Sequence, residues 1–208
     1  MKEQIRLSQE SIDWAIEEGT EIFKNSASLR RDDTLMIKIR NSIFGAFGQQ
    51  ALIDHTGGRR VTKEEVPGFW YDVLVPWEKF YAYTGMATRV AADGTMLDVR
   101  VEVKTIRMVN RSGKWVSLYE NFLHHAIKSA RADQLDYIMV YGVHGEINTD
   151  HSAEIELLGV VSAKAFSRAN IDFYFPRSTF WDDANPRTQM RYFNKRHLHE
   201  DRLGKIFI

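Results

Sequence analysis

The sequence predicts an α/β fold, a central mixed β-sheet flanked by helices, and three observations carry that expectation. Residues 96–107, Met-Leu-Asp-Val-Arg-Val-Glu-Val-Lys-Thr-Ile-Arg, alternate apolar with polar side chains. Leu97, Val99, Val101 and Val103 fall on one side, and Asp98, Arg100, Glu102 and Lys104 on the other. A period of two is that of a strand with one dry and one wet face, and β-branched residues suit the dry positions. Leu35, Ile39, Ile43, Phe47 and the Ala51/Leu52 pair recur at three- and four-residue spacing, which predicts a helix over about 33–55. Tyr137 to Val143 is a near-continuous apolar run, as in a strand covered on both faces.

Length and composition bound the rest. A chain of 208 residues makes one substantial domain or one domain with appendages. The expected division is an N-terminal helical segment over 1–32, a core over 33–170 and an aromatic and basic C-terminal extension over 171–208. Hydrophobic content of 44% and charged content of 27% are those of an ordinary soluble globular protein. Net charge is zero, so no global field draws the chain to nucleic acid or anionic lipid, and such binding must come from local patches. The absence of cysteine excludes disulfides, thiolate zinc sites and cysteine nucleophiles. No apolar run has the length of a membrane span, and the start leads into no signal-peptide core. The expectation is a cytoplasmic protein of a bacterial or phage-infected cell, with no membrane partner.

Taken in order, residues 8–24 read as a helix capped by Ser8 or Ser11, with Trp14 packing it onto the body. Residues 26–33 are a polar connector. The long helix follows, with Asp33 as N-cap, and Gly57-Gly58 ends it. Gly45 and Gly48 inside it allow close backbone approach to a sheet or a ligand. Residues 69–75 read as a strand stopped by Pro76, and residues 77–85 are aromatic-rich and ambiguous. Residues 87–90, then 91–95, then the strand at 96–107 read as a hairpin with Asp93-Gly94 at its turn. A turn at 110–114, a helix over 117–132, the strand at 137–143, a strand at 154–161 and a short helix at 163–169 complete the core. Strand, helix, strand after the hairpin predicts a parallel crossover.

Chemistry concentrates on three residues. Glu102 and Lys104 are two apart on one strand, so both point the same way, roughly 7 Å apart. Such a pair can bind a hard cation and steer a water; the plain alternative is an amphipathic edge strand with an ion pair. Asp72 is a carboxylate in an apolar run, and burial there demands a partner, a metal or water. Asp98 is a rival acid, but it lies roughly 13 Å from Glu102 along the strand, too far to share one ion. Arg59, Arg60 and Lys63 form a basic cluster that reads as a phosphate contact or a solvated loop; Arg187, Arg191, Lys195 and Arg196 stand among tail aromatics, which read as a nucleic-acid contact or as a tail packed on the body. Adjacent His124-His125, with His144 and His151, show no recurring carboxylate–histidine spacing, so no zinc site is expected. No Walker-type or dinucleotide glycine pattern is present.

The order helix, strand with Asp72, hairpin to Glu102-x-Lys104, helix, apolar strand resembles the PD-(D/E)xK nuclease superfamily, over roughly residues 33–161. Tyr71-Asp72-Val73-Leu74-Val75 is similar to that family's first-aspartate strand, and Val101-Glu102-Val103-Lys104-Thr105 to its Glu-x-Lys strand. The resemblance implies a restriction-endonuclease-like fold and a metal-dependent DNA endonuclease. Asp72, Glu102 and the Val103 carbonyl would hold Mg²⁺, for which Mn²⁺ would substitute, and Lys104 would orient the attacking water. Tyr71 stands where the family motif has proline, and Gln49 and Gln50 stand where many members carry a helical glutamate, leaving these amides as accessory groups at most. The implied partner is DNA, cut by a homodimer or higher homo-oligomer. The other reading is a catalytically inactive DNA-binding or assembly protein on the same scaffold.

Overall fold

Ile5, Val73, Val101, Tyr141 and Ile155, from five separate stretches of chain, are buried together, and the strands that carry them form the sheet at the centre of the molecule. A computed structural model describes residues 2–26, 34–62, 64–66, 71–117, 121–125, 134–163 and 190–194. The elements are β1 (Lys2–Arg6), α1 (Gln9–Ser26), α2 (Leu35–Thr56), β2 (Arg59–Arg60), β3 (Val73–Val75), α3 (Trp77–Thr84), β4 (Val99–Arg111), β5 (Lys114–Ser117), β6 (Asn121–His125), β7 (Tyr137–His144), β8 (Ser152–Ser162) and β9 (Met190–Asn194). Six strands run β1-β8-β7-β4-β3-β2 across the sheet, and β5 pairs with β4 as a seventh. The sheet is mixed: β4 and β7 are parallel, from Val101 beside Tyr137 to Met108 beside His144, and the other pairs are antiparallel.

The predicted α/β class and mixed sheet are what the chain adopts, with β4 and β7 at its middle. The parallel crossover is present, but its content differs from the sequence reading. Residues 121–125, expected within a helix over 117–132, form strand β6 and pair antiparallel with β9, Asn121 opposite Asn194. Leu118, Phe122, Ala126 and Ile127 fit a helical stripe and these five residues fit a strand equally well, so pairing with a segment some 70 residues on decides. The remainder of that predicted helix, 118–120 and 126–133, lies outside the described residues, as does 164–169 of the predicted short helix.

Other elements shift in detail. Segment 1–32, read as helical, begins with β1, which joins the main sheet at its edge with Ile5 opposite Ala153. Ser8 caps α1, its Oγ accepting the Ser11 N–H at 3.1 Å. Thr34, not Asp33, caps α2 by accepting the Ile37 N–H at 3.3 Å. Gly57 closes that helix at φ 63°, its N–H bonded to the Ile53 carbonyl. The strand expected over 69–75 is regular only from Val73 to Val75; residues 69 and 70 lie outside the description. The ambiguous stretch is helix α3. The hairpin is reduced to a turn at Asp93-Gly94 and one bridge from Val90 to Met96.

Helix α2 lies against one face of the sheet. Its Ala46, Phe47, Ala51 and Leu52 join Val73, Val101, Val103, Met139 and Tyr141 in the core. A methyl group on Gly48 would come within 2.5 Å of the Thr105 hydroxyl and 2.9 Å of a Val103 methyl, so α2 rests directly on β4 there. Val103 and Thr105 therefore face the helix, and alternation sends Glu102 and Lys104 to the other face.

Candidate functional site

The site is built where β3 runs out beside β4. Val73 pairs with Val101, and one step further the Asp72 N–H donates to the Val101 carbonyl at 2.9 Å. Regular pairing then stops, and the Asp72 side chain takes over. Its Oδ2 accepts the Val103 N–H at 2.8 Å. The aspartate is thus fastened to the residue between Glu102 and Lys104, and it lies cross-strand from Glu102, where Cβ atoms are typically about 5 Å apart. The alternation that predicted β4 aligned these groups; the short apolar β3 supplied the facing strand.

Burial sets the electrostatics. Glu102 is only 8% exposed, and the Lys104 ammonium donates to its Oε1. The Asp72 residue keeps some exposed surface, but its carboxyl is enclosed by packed atoms and its pKa is pushed up to about 7. Loss of hydration is the main cause and the Glu102 charge the second, with Lys104 and the Val103 N–H opposing them. Two carboxylates lie close in a place poor in water, a setting that favours a proton or a cation on one of them.

The amides are occupied elsewhere. Gln49 is buried and its Oε1 accepts from Arg60 Nε at 2.8 Å. Gln50 turns to the start of α1, accepting from Ser11 and donating to Asp54 at 2.6 Å. Asp98 is exposed at the foot of β4, and the cross-strand position belongs to Asp72. Among the described residues, no three of His, Asp and Glu come together as a metal-holding group. Asp72 and Glu102 are carboxylates on neighbouring strands, the donor type that hard cations take.

The basic cluster divides. Arg59 is exposed and paired with Glu65 at 2.8 Å. Arg60 instead turns inward, its guanidinium 5.1 Å from the Trp14 ring centroid, and burial lowers its pKa. An arginine expected at the surface thus ties α1 to α2 through Trp14 and Gln49. Lys63, Arg187, Lys195 and Arg196 lie outside the described residues, and Arg191 is described only as part of β9.

Sequence reasoning missed Asp136. Its carboxylate, beside the start of β7, receives Arg89 at 2.6 Å, Arg100 at 3.1 Å and the Arg100 N–H at 2.8 Å. The clamp fixes where β4 begins, three residues before the Asp72–Glu102 junction. Nothing in local spacing announces it, because its partners Arg89 and Arg100 come from two other segments. No helix among the described residues is long and apolar enough to cross a membrane. Comparisons with family models, with curated proteins and with solved structures find no match.

Proposed function

We propose that this chain is a divalent-cation-dependent endonuclease of the PD-(D/E)xK type, with a restriction-endonuclease-like core, hydrolysing phosphodiester bonds in DNA. The observation that carries the reading is the hydrogen bond from the Val103 N–H to Asp72. It fastens the aspartate to the backbone between Glu102 and Lys104, which supports a shared role for the two acids.

Asp72, Glu102 and the Val103 carbonyl would hold Mg²⁺ or Mn²⁺. When bound, the cation supplies stabilisation of the charge that grows on the phosphate oxygens and acidifies water. Lys104 lies on the Glu102 strand with its ammonium at the carboxylate, where it holds the attacking water by donating to it. It serves as an orienting group, since a lysine acts as a base near neutrality only with a strongly depressed pKa. The Val103 N–H keeps the Asp72 carboxylate from rotating away. Two strands of a duplex would be cut most simply by a symmetric homo-oligomer.

One observation favours the non-catalytic reading of the same scaffold: Glu102 is already held by Lys104, and Gln49 by Arg60. One experiment separates the two. Supercoiled, linear and branched DNA, and RNA, are incubated with Mg²⁺ or Mn²⁺, with a chelator control. The nuclease reading expects cation-dependent nicking that Glu102→Gln removes while DNA retention persists. Retention without cleavage under any cation supports the scaffold reading. DNA affinity should fall steeply with salt.

A further inference from the structure

A cleft lies elsewhere, on the helix-facing side of β4. Ile37 and Phe44 of α2, Thr105 of β4 and Ile147 beyond β7 wall a space of about 600 Å³. That volume is in the range of small-molecule sites, which are mostly apolar with a few polar groups that fix orientation. Five polar side chains stand here: Arg40 and Asn41 from α2, Thr105 and Arg107 from β4, and Glu146 beyond β7. Arg107 donates to Glu146 across the mouth. Arg40 is exposed and makes no ion pair with any described residue. Two guanidinium groups against one carboxylate favour an anion.

Gly45 of α2 lies beside the cleft. Its carbonyl accepts from the Thr105 hydroxyl at 3.2 Å, and Thr105 borders the cleft. A methyl group added at Gly45 would meet nothing within 4 Å. Glycine weakens a helix interior, and no contact or backbone angle here demands one.

We propose that this cleft binds an anion built on a flat apolar ring, of nucleoside monophosphate size. The ring lies between Phe44 and the isoleucines, where its burial is favourable. The anionic group meets Arg40 and Arg107, whose planar forks match phosphate oxygens. The Asn41 amide, both donor and acceptor, reads the ring edge. The proposal stands apart from the nuclease reading, because Glu102 and Lys104 point to the opposite face of the sheet.

Calorimetric titration of the full chain with AMP, adenosine and inorganic phosphate tests it. AMP should bind saturably at one site per chain, with adenosine and phosphate each weaker by about tenfold or more. Arg40→Glu and Ile37→Glu, both at exposed positions, should each weaken AMP by about tenfold with an unchanged melting temperature. Absence of saturable AMP binding, phosphate binding as tightly as AMP, or AMP affinity unmoved by Arg40→Glu and Ile37→Glu would each overturn the proposal.

Discussion

Helix α2 is closed in along its C-terminal half and open along its N-terminal half. Ala46, Phe47, Gly48, Gln49, Ala51 and Leu52 are buried, whereas Leu35, Met36 and Ile37 are exposed, Met36 by 72%. The strand beneath, β4, reverses the chemistry. Near the closed half it carries a buried glutamate and its lysine, and near the open half Ile106 and Arg107 border a cleft. A continuous apolar stripe along a helix therefore says that the helix has an inner face, but not what each turn of that face meets. Charge is buried where charges have one another, and apolar surface is left open where space is left open.

The largest effect that separates the two regions is catalytic. Asp72→Asn, Glu102→Gln and Lys104→Met should each lower the single-turnover rate of plasmid cleavage by on the order of 100-fold or more. Arg40→Glu, at the open cleft, should leave that rate within about twofold, since Arg40 is exposed and screened by salt. Equal losses at both ends would merge what the fold keeps apart.

Next in size is the Asp136 clamp, which belongs to the closed region. Asp136→Asn leaves Arg89 and Arg100 facing each other without their shared carboxylate. The expected cost in urea unfolding is about 2–3 kcal/mol, less than for a fully buried pair because Arg89 keeps contact with water. A cost under about 0.5 kcal/mol would show that backbone pairing alone fixes the start of β4.

The buried carboxylate also gives the closed region a pH signature. The Asp72 pKa is raised to about 7 in the folded chain, against about 3.9 when unfolded. Below the unfolded value both states hold the proton and nothing is lost. As pH rises from about 4 through 7 the unfolded chain gives up its proton first, so stability falls across that window and then levels off. Asp72→Asn keeps an acceptor for the Val103 N–H and removes the charge. In the absence of divalent cation it should melt a few degrees above the unaltered protein at pH 8 and show no gain at pH 4. Added Mg²⁺ should narrow the difference at pH 8 by stabilising the ionised form. A pH-independent difference would point to packing instead.

What the sequence made legible follows the same division. Strand β4 could be read because alternation persists over many residues, and Asp72 could be paired with Glu102 because a carboxylate inside an apolar run has few inexpensive places to go. The start of α1 at Ser8 followed from side-chain chemistry one turn away. Strand β1 was not legible: in Lys2–Arg6 only Ile5 is buried, and its partner Ala153 lies far along the chain. The β6 segment failed for the opposite reason, since its apolar residues suited two periods and a distant strand chose between them. Arg60 carried no sign of burial, because a guanidinium over an indole is made by three-dimensional neighbours. The cleft was equally hidden, being the absence of side chains between two elements that are each well patterned.

The smallest and sharpest test lies within α2 itself, where two glycines one turn apart should answer the same substitution with opposite signs. Gly48→Ala puts a methyl group 2.5 Å from the Thr105 hydroxyl and 2.9 Å from a Val103 methyl, so helix or strand must move. The cost should be about 1–3 kcal/mol, as for overpacking in a filled core. Gly45→Ala adds the same methyl group to open space and should gain up to about 1 kcal/mol from helix propensity. Both are read by denaturant midpoint at constant slope, which separates a change in stability from a change in the unfolded state. Because propensity favours alanine at both positions, the difference between the two variants isolates the contact with β4. Equal responses would mean that α2 can slide on the sheet, and the helix would then fix neither the strand that carries Glu102 and Lys104 nor the walls of the cleft.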